Sequence, residues 1–273
     1  MDVSGADVAR ALHDLGLAGR PVCLHASLRS FGRVAGGVPA MVRAFLDAGA
    51  TLLVPTFTSR YAVRPPPGEM LARNAWPAES LPAVVPDPWS PWATEVDRDM
   101  GAIPAAVAAW PGRVRGDHPM DSFTAVGPLA RELVEAQQPE DVYAPLRALA
   151  ERGGSVILAG VGLERLTLLH LAESMAGREL FRRWAMVSGG RVVRAAVGGC
   201  SEGFGRLAPA LAPLVRHARV GASPWMVLPA QETLARAAAA IRADPGITRC
   251  ADPACDRCRD AIAGGPILPR LAG

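Results

Sequence analysis

Apolar and polar positions along the chain follow two periods, one helical and one strand-like. Residues 4–16 place Val8, Leu12 and Leu15 on one face, and Ser4 and Asp7 have the spacing of a capping box, so a first helix is predicted there. Pro21-Val22-Cys23-Leu24-His25 reads as a short buried strand. A glycine-bearing loop over 26–37 ends in Gly36-Gly37, and residues 38–47 return to the helical period with Pro39 near the first turn, where its missing N–H costs nothing. Thr51-Leu52-Leu53-Val54-Pro55 is a second strand, and a third apolar run, 156–162, precedes another helical stretch. This repeated order predicts an α/β fold: a central mixed sheet flanked by helices.

Helices are also predicted over 100–110, from 127 to 136 and over 231–243. A hairpin is predicted in 184–197 around Ser188-Gly189-Gly190. Between 62 and 91 the prolines at 65, 66, 67, 77, 82, 86, 88 and 91 forbid long regular structure. Trp76, Trp89 and Trp92 give that long loop something to pack with, which points to an ordered lid; a mobile insertion is the alternative. With no internal repeat and no clean linker, the expectation is a single domain over 1–273.

Composition narrows the function classes. A chain of 273 residues, 50% hydrophobic, buries a large core without disulfides. The 29 basic and 26 acidic residues leave a net charge of +3 with no basic run, which argues against nucleic acid as partner. The opening residues carry neither a basic nor an apolar stretch, and no apolar run reaches membrane-spanning length, so the expectation is a cytoplasmic protein without a membrane partner. A homodimer is left open. Five cysteines, three of them crowded as Cys250-x4-Cys255-x2-Cys258, do not read as a secreted disulfide framework.

The candidate chemistry lies in Thr167-Leu168-Leu169-His170-Leu171-Ala172-Glu173. On a helix it stacks a hydroxyl, an imidazole and a carboxylate at successive i, i+3 steps, which suits a general base held by an acid. A satisfied structural pair is the plainer alternative. Three further segments precede it: His25-Ala26-Ser27-Leu28-Arg29-Ser30-Phe31-Gly32-Arg33-Val34-Ala35-Gly36-Gly37, then Leu53-Val54-Pro55-Thr56-Phe57-Thr58, then His118-Pro119-x-x-Ser122-Phe123-x-Ala125-Val126-Gly127 after Pro111-Gly112.

In this order, over nearly the whole chain, the four segments resemble the aminoglycoside 3-N-acetyltransferases, also called antibiotic N-acetyltransferases. The resemblance implies that family's α/β fold and transfer of an acetyl group from acetyl-CoA to an amine of a cationic sugar antibiotic. His170 would then take the amine proton, and Glu173 would orient the imidazole or hold the ammonium; Thr167, or the Phe57-Thr58 segment, would donate to the thioester carbonyl. The cofactor would lie along His25, Ser27, Leu28, Ser30, Phe31, Val34, Gly36 and Gly37, with Thr56, His118 and Ser122 beside it. A loop entering a helix N-terminus suits phosphates, although its glycines also simply turn the chain. His118, ahead of Pro119, also reads as a structural histidine.

The chain departs from the family at Gly116, where Ser is frequent, and at Ala144-Pro145, where Ser-Pro is expected. Cys250, Cys255 and Cys258 have zinc-compatible spacing and lack a fourth ligand. Cys200 is the first candidate, since some family members carry both elements, and His217 is the second; free thiols are the alternative, and Cys23 reads as buried packing. A structural zinc would pin the C-terminal tail. The run Arg178, Arg182 and Arg183 reads as a solvated helix face, or else as a seat for the CoA 3′-phosphate. Acids at Glu69, Glu95, Asp97, Asp99, Asp117, Asp121 and Glu202 are candidates for a cationic acceptor. The rivals are an acyl-CoA-dependent N-acyltransferase acting on another amine or amino sugar of secondary metabolism, a disabled CoA-binding relative, and, for the tail alone, a zinc-ribbon nucleic-acid module.

Overall fold

Ser4 opens the first helix, α1 (Gly5–Asp14), through the expected capping box: its hydroxyl accepts from the Asp7 N–H, and the Asp7 carboxylate accepts from the Ser4 N–H at 2.9 Å. The computed structural model describes residues 2–75 and 88–269. After α1 come β1 (Pro21–Ala26), α2 (Gly37–Asp47), β2 (Thr51–Pro55), β3 (Ala62–Val63), α3 (Ala102–Ala108), β4 (Val114–Arg115), β5 (Phe123–Val126), α4 (Ala130–Val134) and α5 (Ala144–Glu151). The second half contains β6 (Ser155–Ala159), α6 (Leu168–Met175), β7 (Phe181–Val187), β8 (Arg191–Val197), α7 (Ala208–Leu211), β9 (Arg216–Val220), β10 (Ser223–Pro229), α8 (Ala230–Ala243) and α9 (Asp256–Ile262).

The main sheet is mixed, in the order β4-β5-β2-β1-β6-β10-β9. Its centre, β2-β1-β6, is parallel, and the flanking strands run antiparallel. Every residue of β2 and β6 is buried, as a parallel sheet covered on both faces requires. Successive side chains point to opposite faces. Val22 and Leu24 of β1, with Leu52, Val54 and Ile157, pack against Val8, Leu12, Met41 and Phe45 of α1 and α2. Cys23, Leu53, Val156 and Leu158 face Leu133, Leu146, Leu169 and Leu234 of α4, α5, α6 and α8. Cys23 is thus the packing residue its apolar strand suggested.

A second sheet, β3-β7-β8, includes the expected hairpin and supports a smaller core of Tyr61, Trp89, Phe181 and Trp184. The described flanks of the proline-rich segment lie against it: Trp89 is fully buried and pairs with Val187, whereas Trp92 is exposed. Trp76 and the middle of the expected lid lie outside the described residues. The helices expected over 100–110 and 127–136 are shorter, ending before Pro111-Gly112 and starting after Gly127-Pro128. Among the described residues no helix is long and apolar enough to cross a membrane.

Candidate active site

The carboxyl ends of the parallel strands open into a cavity of about 1120 Å³, lined by His25 at the end of β1, Pro55 at the end of β2, and Gly160 and Val161 just past β6. Ligands of open α/β sheets bind at such carboxyl ends, because the strands deliver several loops to one crevice. His170, on the first turns of α6, reaches the wall of this cavity.

Its environment decides what the imidazole does. Nδ1 lies 2.8 Å from Glu173 Oε2, on the same helix face one turn on. The other oxygen of that carboxylate, Oε1, accepts from the Arg178 guanidinium and, at 3.3 Å, from the Thr248 hydroxyl. With a guanidinium and a hydroxyl on Oε1, the carboxylate turns Oε2 to the imidazole, where it accepts from an Nδ1–H and leaves the lone pair on Nε2. Both residues are largely covered: His170 is 8% exposed and Glu173 6%. Tyr143 stacks parallel to the imidazole with centroids 6.2 Å apart, and Phe204 meets it edge-on at 4.7 Å.

Asp121 lines the same cavity, and burial pushes its carboxyl up to about 7, against the smaller opposing pull of His170. Asp99 is the second of the expected acids found there, and Glu164, which the sequence did not single out, is a third. Others serve the fold: Glu69 accepts from the Trp184 indole at 2.6 Å, Asp117 from that of Trp89 at 3.2 Å, and Asp97 from the Ser59 N–H at 2.8 Å. Cations come from Arg29, Arg165 and Arg257. Opposite charges in one crevice suit two ligands of opposite sign.

Of the remaining expected site residues, His25, Ser27, Leu28 and Thr167 line the cavity, and Phe57 joins them. Burial lowers the His25 imidazole to about 4. Several others do not reach it. Phe31 is a core residue, edge-on to Trp225, and Val34 pairs with Val3. Gly36 and Gly37 begin α2 away from the lining, and Ser30 bonds Ser223 at 2.7 Å beside a neighbouring depression. Thr56 and Ser122 are fully buried: Ser122 Oγ accepts from Arg115 Nε and donates to the Thr56 carbonyl, both at 2.9 Å. Thr58 is buried with its hydroxyl on the Pro119 and Met120 carbonyls.

His118 is also enclosed. Nδ1 accepts from the Asp121 N–H at 2.8 Å, so Nε2 donates to the Ala196 carbonyl at 2.9 Å, and burial lowers the imidazole to about 4. It is a structural histidine that sets the backbone under Asp121. The departure at Gly116 has a steric cause: a β-carbon there would lie 1.8 Å from Oε1 of Gln137, whose side chain bonds Phe123, Asp121 and Val142.

The arginine run is not a solvated face. Arg178 and Arg182 are each 7% exposed, the first on Glu173 and the second paired with Glu140 and Glu179. Spacing gave no sign of this, since Arg178 follows the end of α6 and reaches back to it.

Cys200, Cys250, Cys255 and Cys258 come together, with all four sulfurs within 4.8 Å of one another. A tetrahedral zinc with bonds of about 2.3 Å separates its sulfurs by about 3.8 Å, so this donor set fits the metal without rearranging the fold. His217 lies elsewhere, on β9 beside the neighbouring depression.

A profile described as aminoglycoside 3-N-acetyltransferase matches residues 23–242, which include β2 to β10, the His170–Glu173 pair and Cys200. The chain belongs to the aminoglycoside 3-N-acetyltransferase family. Its relatives include aminoglycoside N(3)-acetyltransferase IX of Micromonospora chalcea, 36% identical over 63% of this chain and 64% of the relative. Aminoglycoside N(3)-acetyltransferase VIII of Streptomyces fradiae is 37% identical over 64% and 62%. The chain therefore matches a little under two thirds of the length of these relatives. Among solved structures, a CoASH complex of AAC-IIIb superimposes with a TM-score of 0.73 at 26% identity, covering 89% of this chain and 97% of that one. Apo AAC(3)-IVa shares the fold, with a TM-score of 0.77 at 23% identity over 97% and 98%.

Proposed function

We propose that this family member transfers the acetyl group of acetyl-CoA to an amine of an aminoglycoside-type antibiotic, directly and without an acyl-enzyme. The observation that carries the reading is His170: a cavity-wall imidazole whose Nδ1 is engaged by the Glu173 carboxyl group, which leaves Nε2 to accept a proton. The amine nitrogen, relieved of its proton by Nε2, bonds to the acetyl carbonyl carbon. The carbon–sulfur bond then breaks, and the proton passes from His170 to the departing sulfur. Thr167, also in the lining, donates to the carbonyl oxygen in this reading, since the hydroxyl of Thr58 is occupied. His25, Ser27 and Leu28 serve the coenzyme, Arg29 and Arg165 its anionic part, and Asp99 and Asp121 the cationic acceptor. Gly116 and Ala144 lie outside the lining, which favours a working site over a disabled one. Because CoA phosphates keep the donor from crossing membranes, the reading implies a cytoplasmic reaction and a role in antibiotic resistance.

Zinc is the metal that suits four thiolates gathered this closely, and its role in this reading is structural. One zinc per chain, released by a thiol-blocking mercurial, is the expected assay; a metal-free protein of equal stability overturns the assignment. For the transferase reading, a panel of aminoglycosides and simpler amines is scored by thiol release. His170→Ala retains CoA binding and loses most turnover. Normal acetylation by that variant removes His170 from the reaction.

A further inference from the structure

Two stretches of chain that carry no reacting group close on the His170–Glu173 pair, one at the imidazole and the other at the carboxylate. In the first, residues 198–204, Gly198 lies against the imidazole and Phe204 packs on its edge, with Cys200 between them. In the second, residues 245–250, the Pro245 carbonyl accepts from Arg178 at 2.5 Å, and the Thr248 hydroxyl accepts from Arg178 at 2.8 Å while donating to Glu173 Oε1. Cys250 is two residues further on.

The two stretches also grip each other. A β-carbon on Gly203 would meet the Thr248 carbonyl oxygen at 2.2 Å, and the Arg206 guanidinium donates to the Arg249 carbonyl at 3.4 Å. Cys200 of the first stretch and Cys250 of the second join Cys255 and Cys258 in the sulfur cluster.

A carboxylate has lone pairs on both oxygens and rotates about its terminal torsion unless each oxygen is claimed. Oε1 of Glu173 is claimed by Arg178 and Thr248, which leaves Oε2 turned to His170 Nδ1. We propose that Arg178 and Thr248 are positioning residues for acetyl transfer, held in register by the metal-bound cysteine cluster, which clamps together the two stretches that orient His170. The proposal rests on the transferase and zinc readings above and gives the metal a task beyond anchoring the tail. A misplacement of catalytic groups by about 1 Å costs on the order of a hundred-fold in rate, so a small slackening at Thr248 is measurable at His170.

The test compares Thr248→Val, which keeps shape and loses the hydroxyl, with Thr248→Ser, which restores it. Thr248→Val is expected to lower kcat about ten-fold with the KM for acetyl-CoA changed less than about two-fold, and Thr248→Ser to stay within about two-fold of the parent. In parallel, nitrogen-15 spectra of the His170 ring report the tautomer without any turnover. The single Nδ1–H form of the parent is expected to give way to a mixture in Thr248→Val and, in the parent, on withdrawal of metal by a chelator, with recovery when Zn²⁺ is restored. Unchanged ring signals in Thr248→Val, or a Thr248→Ser variant as impaired as Thr248→Val, overturn the positioning role. Ring signals indifferent to removal and return of Zn²⁺ overturn the clamp. If the parent acetylates no amine, the transferase reading fails, and the ring signals still decide this one.

Discussion

Gly198 lies against the ring of His170, so close that a β-carbon placed on it would come 2.7 Å from the ring Cδ2 and 2.5 Å from the Tyr143 hydroxyl. The imidazole is packed by that glycine, Tyr143 and Phe204, so its plane is set by packing as well as by Glu173. Gly198→Ala therefore forces the ring or Tyr143 to move, and overpacking of this kind costs about 1–3 kcal/mol. We expect a lower Tm together with a kcat loss of at least about ten-fold, because the displaced ring is the proposed base. Full activity in a folded Gly198→Ala enzyme would show that the ring has slack the geometry denies.

Glu173→Gln retains shape and removes charge. An amide presents its N–H₂ as readily as its oxygen, so the neutral tautomer of His170 is no longer fixed and the Arg178 guanidinium loses its anion. General-base assistance is worth about 10²–10⁴-fold, and we expect a kcat loss at the lower end of that range with the affinity for CoA unchanged. Steady-state kinetics beside a CoA binding isotherm check both halves; a variant that instead lost CoA binding would place Glu173 in the coenzyme site.

Asp121 ties stability to pH. Burial raises its carboxyl from 3.8 to about 7, so the fold favours the neutral acid. The stabilisation is fully present below pH 3.8 and is lost as pH rises through about 7, since the unfolded chain ionises freely and the folded one does not. Asp121→Asn keeps an acceptor for the Gly198 N–H and removes the charge. Its Tm relative to the parent should rise steadily from acid to mildly alkaline pH, with a weaker KM for a cationic acceptor at the alkaline end. A Tm difference independent of pH would disprove the shifted acid.

His25 and His118 act in the opposite sense. Burial lowers both from 6.5 to about 4, so the fold favours neutral rings. Their contribution is complete above pH 6.5 and is lost as pH falls through about 4, each ring adding up to about 1.4 kcal/mol per pH unit between those limits. Urea unfolding across that window should show the steep dependence, and His118→Asn should flatten it by one ring's share. An unchanged slope would mean that His118 is already protonated in the fold.

How much of this was legible in the string depends on the range of the interaction. The capping box at Ser4 and Asp7, strands β1, β2 and β6, the β7–β8 hairpin and helix α8 announce themselves through spacing of a few residues, and all are present. The antiparallel flanks β5, β9 and β10 do not: β5 and β10 are defined by neighbours distant in sequence, β9 only by its hairpin to β10, and β10 carries prolines that read as breakers but sit at positions the ladder tolerates. His170 and Glu173 could be paired in advance because one helical turn brings i and i+3 together.

The sequence by itself thus determined the class of fold, the family and the pairing of His170 with Glu173, all of which follow from local periodicity and ordered motifs. Tertiary structure alone decided that Cys200 and not His217 completes the sulfur cluster, that Arg178 and Thr248 hold Glu173, and that His118, Thr56 and Ser122 are enclosed while Asp121 is in the cavity wall. The physical reason is burial: which polar group loses its water, and what replaces that water, is settled by residues separated by scores of positions, and no spacing rule along one chain encodes their meeting.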